Sequence, residues 1–174
     1  ESSGRGRIWL ASRDGAVAVR SGARLDVSAG NGAAQGTIHV RASATADDLR
    51  IGALDGTLVG AGEVILEPVL LTTSSGTLDA SAFEAIRGTV DAYMLAAAPN
   101  IRARLGLQGD ARVHIRPGVE IVAADDMVLA DDLDLAGWRF DGEPGYLTLR
   151  AAGDVDLSGD LSDGFKVSGI GPLA

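Results

Sequence analysis

The sequence contains no cysteine in its 174 residues. Disulfide bonds, thiolate metal sites and thiol catalysis are therefore all excluded. The chain also lacks an apolar run of the roughly 20 residues that a membrane-spanning helix needs, so we expect no insertion into a membrane. It has no initiator methionine and no signal-like segment, which favours a mature piece or an excised fragment.

Basic residues are few, and lysine is represented only by Lys166. The formal net charge is −9, and residues 110–174 carry thirteen acidic against five basic side chains. Affinity for nucleic acid depends on clustered lysine and arginine. We therefore expect no nucleic-acid partner.

Short apolar-x-apolar pairs recur between Arg112 and Gly164, with glycine, aspartate or proline between most of them. The pairs are Val113/Ile115, Val119/Ile121, Met127/Leu129, Leu133/Leu135, Leu147/Leu149 and Val155/Leu157. Alternation with a period of two over so few residues predicts strands, and the residues between the pairs predict turns. The first four pairs repeat at an offset of fourteen residues, which predicts a coiling chain with one unit in each turn.

The first part of the chain has the same pattern. Its pairs are Ile8/Leu10, Val17/Val19, Leu25/Val27, Ile38/Val40 and Leu49/Ile51. The segment Ala16–Gly30 aligns without a gap on Tyr146–Asp160, so the two ends are predicted to be copies of one unit. Copied units of about fourteen to twenty-two residues favour a parallel β-solenoid over a sandwich, whose strands need not resemble one another.

An arginine directly follows the second apolar residue in four of these units. The four are Arg20, Arg41, Arg116 and Arg150. On a strand this arginine points opposite to the apolar pair, so it should leave the core and meet solvent or a neighbouring coil. We interpret these arginines as charged strand ends that block edge pairing and align with acidic neighbours, with a functional arginine ladder as the alternative.

A helix is predicted from Ala82, where the apolar residues change to helical spacing. They are Phe83, Ile86, Val90, Met94 and Ala97. Ser81 and Glu84 form a capping-box pattern at the start of this helix, and Pro99 is predicted to end it. We expect the apolar stripe to pack against a sheet or to cover an open core.

The predicted fold is therefore all-β, a parallel β-helix (solenoid) with one helical insertion. Coils are expected in residues 1–71 and 110–174, with the helical insertion in residues 72–109. The three parts are predicted to form one continuous domain.

Three runs of sequence contain most of the pattern: VHIRPGVEIVAADDMVLADDLDLAGWRF, EPGYLTLRAAGDVDLSGDLSDGF and RIWLASRDGAVAVRSGARLDVSAG. They resemble the β-helical part of the filamentous haemagglutinin-like exoproteins of Gram-negative bacteria. The resemblance implies a right-handed parallel β-helix, an internal segment of a longer adhesin exported by two-partner secretion. The expected location is extracellular or on the cell surface. The expected partners are the outer-membrane secretion pore and a glycan or protein on a host-cell or bacterial surface.

Two histidines, His39 and His114, each lie between two apolar residues and should face outward from the coil. A catalytic pair would need them close together and supported by an oriented carboxylate. We interpret both as solvent-facing strand residues and predict no catalytic residue.

Aspartates cluster in two places that invite comparison with a calcium site. The first cluster is Asp125, Asp126, Asp131, Asp132 and Asp134, and the second is Asp154, Asp156, Asp160 and Asp163. Neither follows the order of an EF-hand or of the glycine-rich nonapeptide repeat. Aspartate at corners is explained by bonds from its side chain to turn backbone groups. We therefore predict no metal site and no cofactor, with calcium as the alternative.

The segment GWRFDGEPG is the most aromatic-rich place in the chain. We predict a possible contact loop for a sugar or a protein, consisting of Trp138, Arg139, Phe140 and Tyr146. The alternative is that these rings close a corner over the core.

Together these features predict a non-enzymatic segment of a surface adhesin that works through extension and contact. One alternative is a carbohydrate-active β-helix, a polysaccharide lyase or hydrolase, which would use Asp132 and Asp134 with Arg116 or Arg139. Another is a purely structural spacer.

Overall fold

The computed structural model describes residues 6–29 and 36–164. Strands make up 48% of the structure, which also has one α-helix. The strands are β1 (Arg7–Ser12), β2 (Val17–Val19), β3 (Arg24–Asp26), β4 (Gly36–Ser43), β5 (Ile51–Leu54), β6 (Thr57–Val59), β7 (Ala61–Ser74), β8 (Thr77–Leu78), β9 (Val113–Ile115), β10 (Gly118–Ala123), β11 (Met127–Leu129), β12 (Leu133–Asp134), β13 (Arg139–Phe140), β14 (Glu143–Pro144), β15 (Tyr146–Ala151), β16 (Val155–Leu157) and β17 (Leu161–Ser162). Helix α1 spans Ala80–Arg104, and a single 3-10 turn spans Leu135–Gly137.

The largest sheet is parallel and has the order β1-β4-β7-β10-β15, with β9 also pairing with β7. It is curled like half a barrel. Successive side chains on a strand point to opposite sides, so the sheet has two different faces. In β4, for example, Ile38 and Val40 are fully buried in the core, and Thr37 and Arg41 point the other way. We call the side away from the core the outer face.

Shorter parallel sheets follow the large sheet along the chain. After each of β1, β4, β7, β10 and β15 the chain forms a second strand, and these second strands pair with one another, β2 with β5 and β11 with both β8 and β16. Third strands come next along the chain and also pair, β3 with β6 and β12 with β17. We call each run through these strands a repeat, and in the third repeat helix α1 takes the place of the third strand.

Stacked positions near the carboxyl end lie 28 residues apart. Gly118 pairs with Tyr146, and Met127 pairs with Val155. The predicted unit of fourteen to twenty-two residues is therefore too short, because the fourteen-residue offset relates strands of different sheets within one repeat. Every strand has the same alternating apolar pattern. The pattern therefore cannot show whether a matching segment is the next strand of the same repeat or the strand that pairs with it in the next repeat.

The predicted alignment of Ala16–Gly30 on Tyr146–Asp160 is wrong for the same reason, because it matches strands that belong to different sheets. Val17 lies in β2 and pairs with Ile51, whereas the residue aligned with it, Leu147, lies in β15 of the large sheet. The strand of the first repeat that corresponds to β15 is β1. Gly30, the last residue of the first copy, and residues 165–174 lie outside the described residues.

The helix differs from its prediction at both ends. It begins at Ala80, and Asp79 caps it by accepting a hydrogen bond from the amide of Ala82 at 2.8 Å, so Ser81 is not the cap. Pro99 lies inside the helix. Proline removes the bond to the carbonyl four residues earlier, but that residue, Leu95, is exposed, so water can bond the carbonyl instead.

The helix ends at a glycine. Gly106 has a φ of 66°, its amide bonds to the carbonyl of Ala103, and the amide of Leu107 bonds to the carbonyl of Arg102. This is the Schellman arrangement, in which a residue without a side chain takes the left-handed conformation. The helix therefore covers only part of the predicted 72–109 segment, which also contains the end of β7 and all of β8.

The predicted apolar stripe of the helix does pack on the core. Its buried residues are Phe83, Val90, Tyr93, Met94, Ala97 and Ile101, with Ile86 partly buried against them. Among the described residues, no helix combines the length and the apolar character that crossing a bilayer requires.

Candidate functional site

The outer face of the large sheet is concave and carries buried polar side chains. His39 and Glu67 alternate with core residues and yet are only 2% and 1% exposed. The ring of His39 on β4 lies 5.2 Å from that of Tyr146 on β15, although two strands separate β4 from β15. In a flat sheet these strands would be about 14 Å apart. The curl therefore brings outward side chains together.

A network of hydrogen bonds and ion pairs crosses this face. His39 Nε2 lies 2.7 Å from Glu67 Oε2, and Arg41 Nη1 lies 3.3 Å from Glu67 Oε1. Arg41 Nη2 also donates to Glu120 Oε2 at 2.8 Å, and Arg150 Nε donates to Glu120 Oε1 at 3.0 Å. The four strands β4, β7, β10 and β15 each contribute to this outer-face network. Because buried charges are costly unless they are paired, the pairing fixes these side chains in one arrangement.

The carboxylate of Glu67 needs a glycine beside it. Its Oε1 atom is buried and accepts no hydrogen bond, so the 3.3 Å contact with Arg41 is an ion pair without hydrogen-bond geometry. A Cβ atom on Gly118 would lie 2.2 Å from this oxygen. Gly118 therefore provides the space in which the carboxylate lies.

A second group of ion pairs lies at the other end of the outer face. Arg116 donates from Nε to Glu143 Oε2 at 2.8 Å and lies 2.7 Å from Glu63 through Nη2, and His114 contacts the other oxygen of Glu143. Glu143 stands on β14, which pairs with β13 through an Asp141-Gly142 turn with positive φ at both residues. Burial raises the pKa of Glu143, but the bonds from His114 and Arg116 outweigh burial and hold that pKa below its usual value.

Three of the predicted arginines and both histidines lie on the outer face, but their exposure differs. Arg41, Arg116 and Arg150 point away from the core and contact carboxylates of other strands, in agreement with the predicted alignment with acidic neighbours. His39 and His114 are on the outer face, as predicted. His39 is not solvent-facing, however, because the curl buries it between Trp9 and Tyr146.

The aspartates at the corners bond to backbone groups. Asp126 Oδ1 accepts from the amide of Asp154 at 2.8 Å, and Asp132 Oδ1 accepts from the amide of Asp160 at 2.8 Å, in each case 28 residues further on. The carboxylate of Asp134 accepts from the amide of Ala136. These side chains therefore tie stacked repeats and turns together. Within residues 6–29 and 36–164, no three His, Cys, Asp or Glu side chains are grouped to hold a metal ion.

The predicted contact loop is only partly at the surface. Trp138 and Phe140 are buried, and Trp138 packs edge-on against Phe83 of the helix at 6.3 Å. Both rings close the core and cannot stack on a sugar, which corrects the predicted loop. Arg139 donates to the carbonyl of Trp138 at 3.2 Å, and Tyr146 belongs to the outer face.

A cleft of about 840 Å³ lies at the carboxyl ends of the large-sheet strands, between the outer face and helix α1. Trp9, Arg41, Glu120 and Arg150 line it, and Trp9 is 58% exposed. Sequence reasoning singled out two of these residues, Arg41 and Arg150, but not the cleft, which depends on the curl of the sheet.

No protein-family model, curated protein or solved structure matches the chain. The function is therefore inferred from the residues and the fold.

Proposed function

We propose that the chain is a segment of a right-handed parallel β-helix that forms part of the shaft of a secreted adhesin. The adhesin would be displayed on the surface of a Gram-negative bacterium after export through an outer-membrane pore. The segment would act by extension and contact, without catalysis.

One observation supports this proposal most directly, the exposure of apolar residues in the last repeat. Met127, Leu129 and Leu133 are 0%, 1% and 7% exposed. Their stacked partners in the next repeat, Val155, Leu157 and Leu161, are 47%, 53% and 44% exposed. The last described repeat therefore exposes the positions that the preceding repeat buries, which is what a solenoid does at a place where another coil can stack.

The sheet edges support the same interpretation. Within residues 6–29 and 36–164, strands β1 and β15 are the two ends of the large sheet and pair on one side only. Unpaired parallel edges in register with the existing strands allow further coils to add without changing the pairing already present.

The residues of the enzymatic alternative have structural contacts instead. Asp132 and Asp134 accept backbone hydrogen bonds, and Arg116 is paired with Glu63 and Glu143. A catalytic carboxylate needs access to substrate and a matched partner. These contacts favour an architectural role for the three side chains.

The architecture is tested by inserting four extra copies of residues 118–145 after Gly145. Because Gly118 stacks on Tyr146, each copy should form one more coil and lengthen the particle by about 4.8 Å. Small-angle X-ray scattering should then report a particle about 19 Å longer. A matched control has copies shortened by one residue, which turns apolar side chains to the wrong face. The proposal fails if the full copies do not lengthen the particle or are as sensitive to protease as the control.

Contact is tested with the folded chain on a glycan array and with chain-coated beads on cell surfaces. An adhesin segment should bind when folded and lose binding when heat-unfolded, whereas a spacer should bind nothing. Catalysis is tested with panels of acidic and neutral polysaccharides. New reducing or unsaturated ends would overturn the non-enzymatic role.

A further inference from the structure

The cleft at the carboxyl ends of the large-sheet strands is formed by parts of the chain far apart in sequence. The sheet forms its floor, Arg13 and Thr45 stand in the loops after β1 and β4, and Thr89 of helix α1 forms a wall. Its volume of about 840 Å³ lies within the range of sites that enclose small ligands.

The charges of the cleft favour an anion. Three arginines line it, Arg13, Arg41 and Arg150, against the two carboxylates of Asp14 and Glu120. Glu120 is already occupied, since it accepts hydrogen bonds from both Arg41 and Arg150. The buried Glu67 also pairs with Arg41, so the exposed cation that an anion would meet on the sheet is Arg150.

Arg150 has the geometry to hold a carboxylate. Its Nε is fixed by the buried Glu120, and 56% of its side chain is exposed. A guanidinium oriented in this way can present its remaining nitrogens as a planar fork, which matches the two oxygens of a carboxylate.

The other lining residues match a sugar ring. Trp9 is held by stacking on His39, with centroids 5.5 Å apart and planes 9° apart, and more than half of its surface is exposed. Its exposed apolar surface suits the C–H face of a sugar, and the hydroxyl of Thr148, which pairs with Glu120 on the outer face, suits a hydroxyl group of the ring. An inorganic anion would use the arginines but not Trp9.

We propose that this cleft binds a carboxylated saccharide of the uronic-acid class, with Arg150 on the carboxylate and Trp9 on a ring face. The inference rests on the proposed function, because an adhesin segment needs a ligand. Binding is measured on a single chain, however, so its failure would leave the shaft architecture untouched. Conversely, a failed insertion experiment would not remove the site.

The test is calorimetric titration of the intact chain with tri-galacturonate. The same trisaccharide with its carboxylates methyl-esterified tests the charge, and maltotriose tests neutral sugars. Saturable binding of tri-galacturonate is expected, with clearly weaker binding of both neutral sugars. Arg150→Gln and Trp9→Ala should each weaken binding by about tenfold or more, since each removes a direct contact. Arg20→Gln, which removes an exposed arginine outside the cleft, should leave binding unchanged.

Three results would overturn the proposal. The first is no saturable binding with a dissociation constant below about 1 mM. The second is equal affinity for the esterified trisaccharide, and the third is an equal loss in Arg20→Gln and Arg150→Gln. Circular dichroism of each variant shows whether it is folded. Should Trp9→Ala unfold, the Arg150→Gln result and the esterified ligand decide the outcome alone.

Discussion

Arg104, in the last turn of helix α1, joins the helix to the loop between β4 and β5. Its guanidinium contacts both oxygens of Asp48, at 2.5 and 2.8 Å, and donates to the carbonyl of Ile51 at 2.8 Å. The sequence weakens the middle of this helix with Gly88, so its stability should depend on docking. Replacing Arg104 by methionine keeps most of the apolar stem and removes these contacts.

The expected loss is about 2 kcal/mol. A hydrogen bond to a charged group contributes about 1.5–3 kcal/mol, and the variant also leaves the carboxylate of Asp48 without its cation. The pair is partly exposed, which lowers the loss, because water screens the charges and can bond the groups that remain. For a protein of this length the melting temperature should fall by about 4–8 °C.

The loss should depend on pH in a defined direction. Burial raises the pKa of Asp48, but the hydrogen bonds from Arg104 and from the amide of Leu49 outweigh burial and lower that pKa. A carboxyl whose pKa is lower in the folded state contributes stability above its unfolded value of about 4, and that contribution is lost as the pH falls through the folded value. The difference between the parent chain and Arg104→Met should therefore be complete at neutral pH and shrink below about pH 4.

Thermal unfolding followed by circular dichroism at neutral and acidic pH measures both effects. Arg87→Met is the matched control on the same helix, because the ion pairs of Arg87 with Glu84 and Asp91 are long and exposed, at 3.6 and 4.0 Å. This control should change stability by at most about 0.5 kcal/mol. Equal losses in the two variants, or a loss in Arg104→Met that is the same at both pH values, would refute the reasoning.

Three further predictions concern packing between repeats and are measured by denaturant unfolding. Leu129→Ala should cost about 2–5 kcal/mol because the side chain is buried, whereas Leu157→Ala, its exposed stacked equivalent, should cost about 0.5 kcal/mol or less; similar costs would contradict the burial pattern. Gly118→Ala should cost about 1–3 kcal/mol because its Cβ would meet Glu67, and the cost should fall in a Glu67→Ala background; additive costs would refute this contact. Asp126→Ala should cost about 1 kcal/mol through its lost bond to the next repeat, and calcium should raise the stability of neither form; calcium stabilisation of the parent chain alone would restore the metal interpretation.

The inner side of the sheets could be predicted from the sequence because apolar alternation is a local signal. Ile38, Val40, Val119 and Ile121 were all identified from period-two spacing, and all four are buried. What could not be predicted was which strand stacks on which. Val113 and Met127 look equivalent fourteen residues apart, yet they belong to different sheets.

The ends of the helix were missed for a different reason. Pro99 is a strong signal in isolation, but a helix can continue past a proline, and here the carbonyl that loses its bond belongs to the exposed Leu95. The true end had its own signal in the sequence, since Gly106 follows Arg102 and Arg104, two basic residues in the last turn. At the start, Asp79 was available as a cap two residues before Ser81.

The candidate site was the least predictable part, because it depends on register and curl. The sequence places Arg41 outside the core, but nothing local indicates that Glu67 and Glu120 lie beside it. Those carboxylates come from strands that the chain reaches only after one and two further passes through the large sheet. A signal did exist in hindsight, since each glutamate interrupts a strand of mainly apolar residues.

Hydrogen bonds between side chains and groups about one repeat apart in sequence stabilise this chain, which contains no cysteine. The bonds Thr37–Glu63, His39–Glu67, Glu120–Arg150 and Asp126–Asp154 span between 26 and 30 residues. Hydrogen bonds over this separation join one repeat to the next. Each added repeat therefore forms its own hydrogen bonds with the repeat before it. The number of these hydrogen bonds increases with the number of repeats, without any disulfide. The stability that such contacts contribute should therefore increase with the number of repeats.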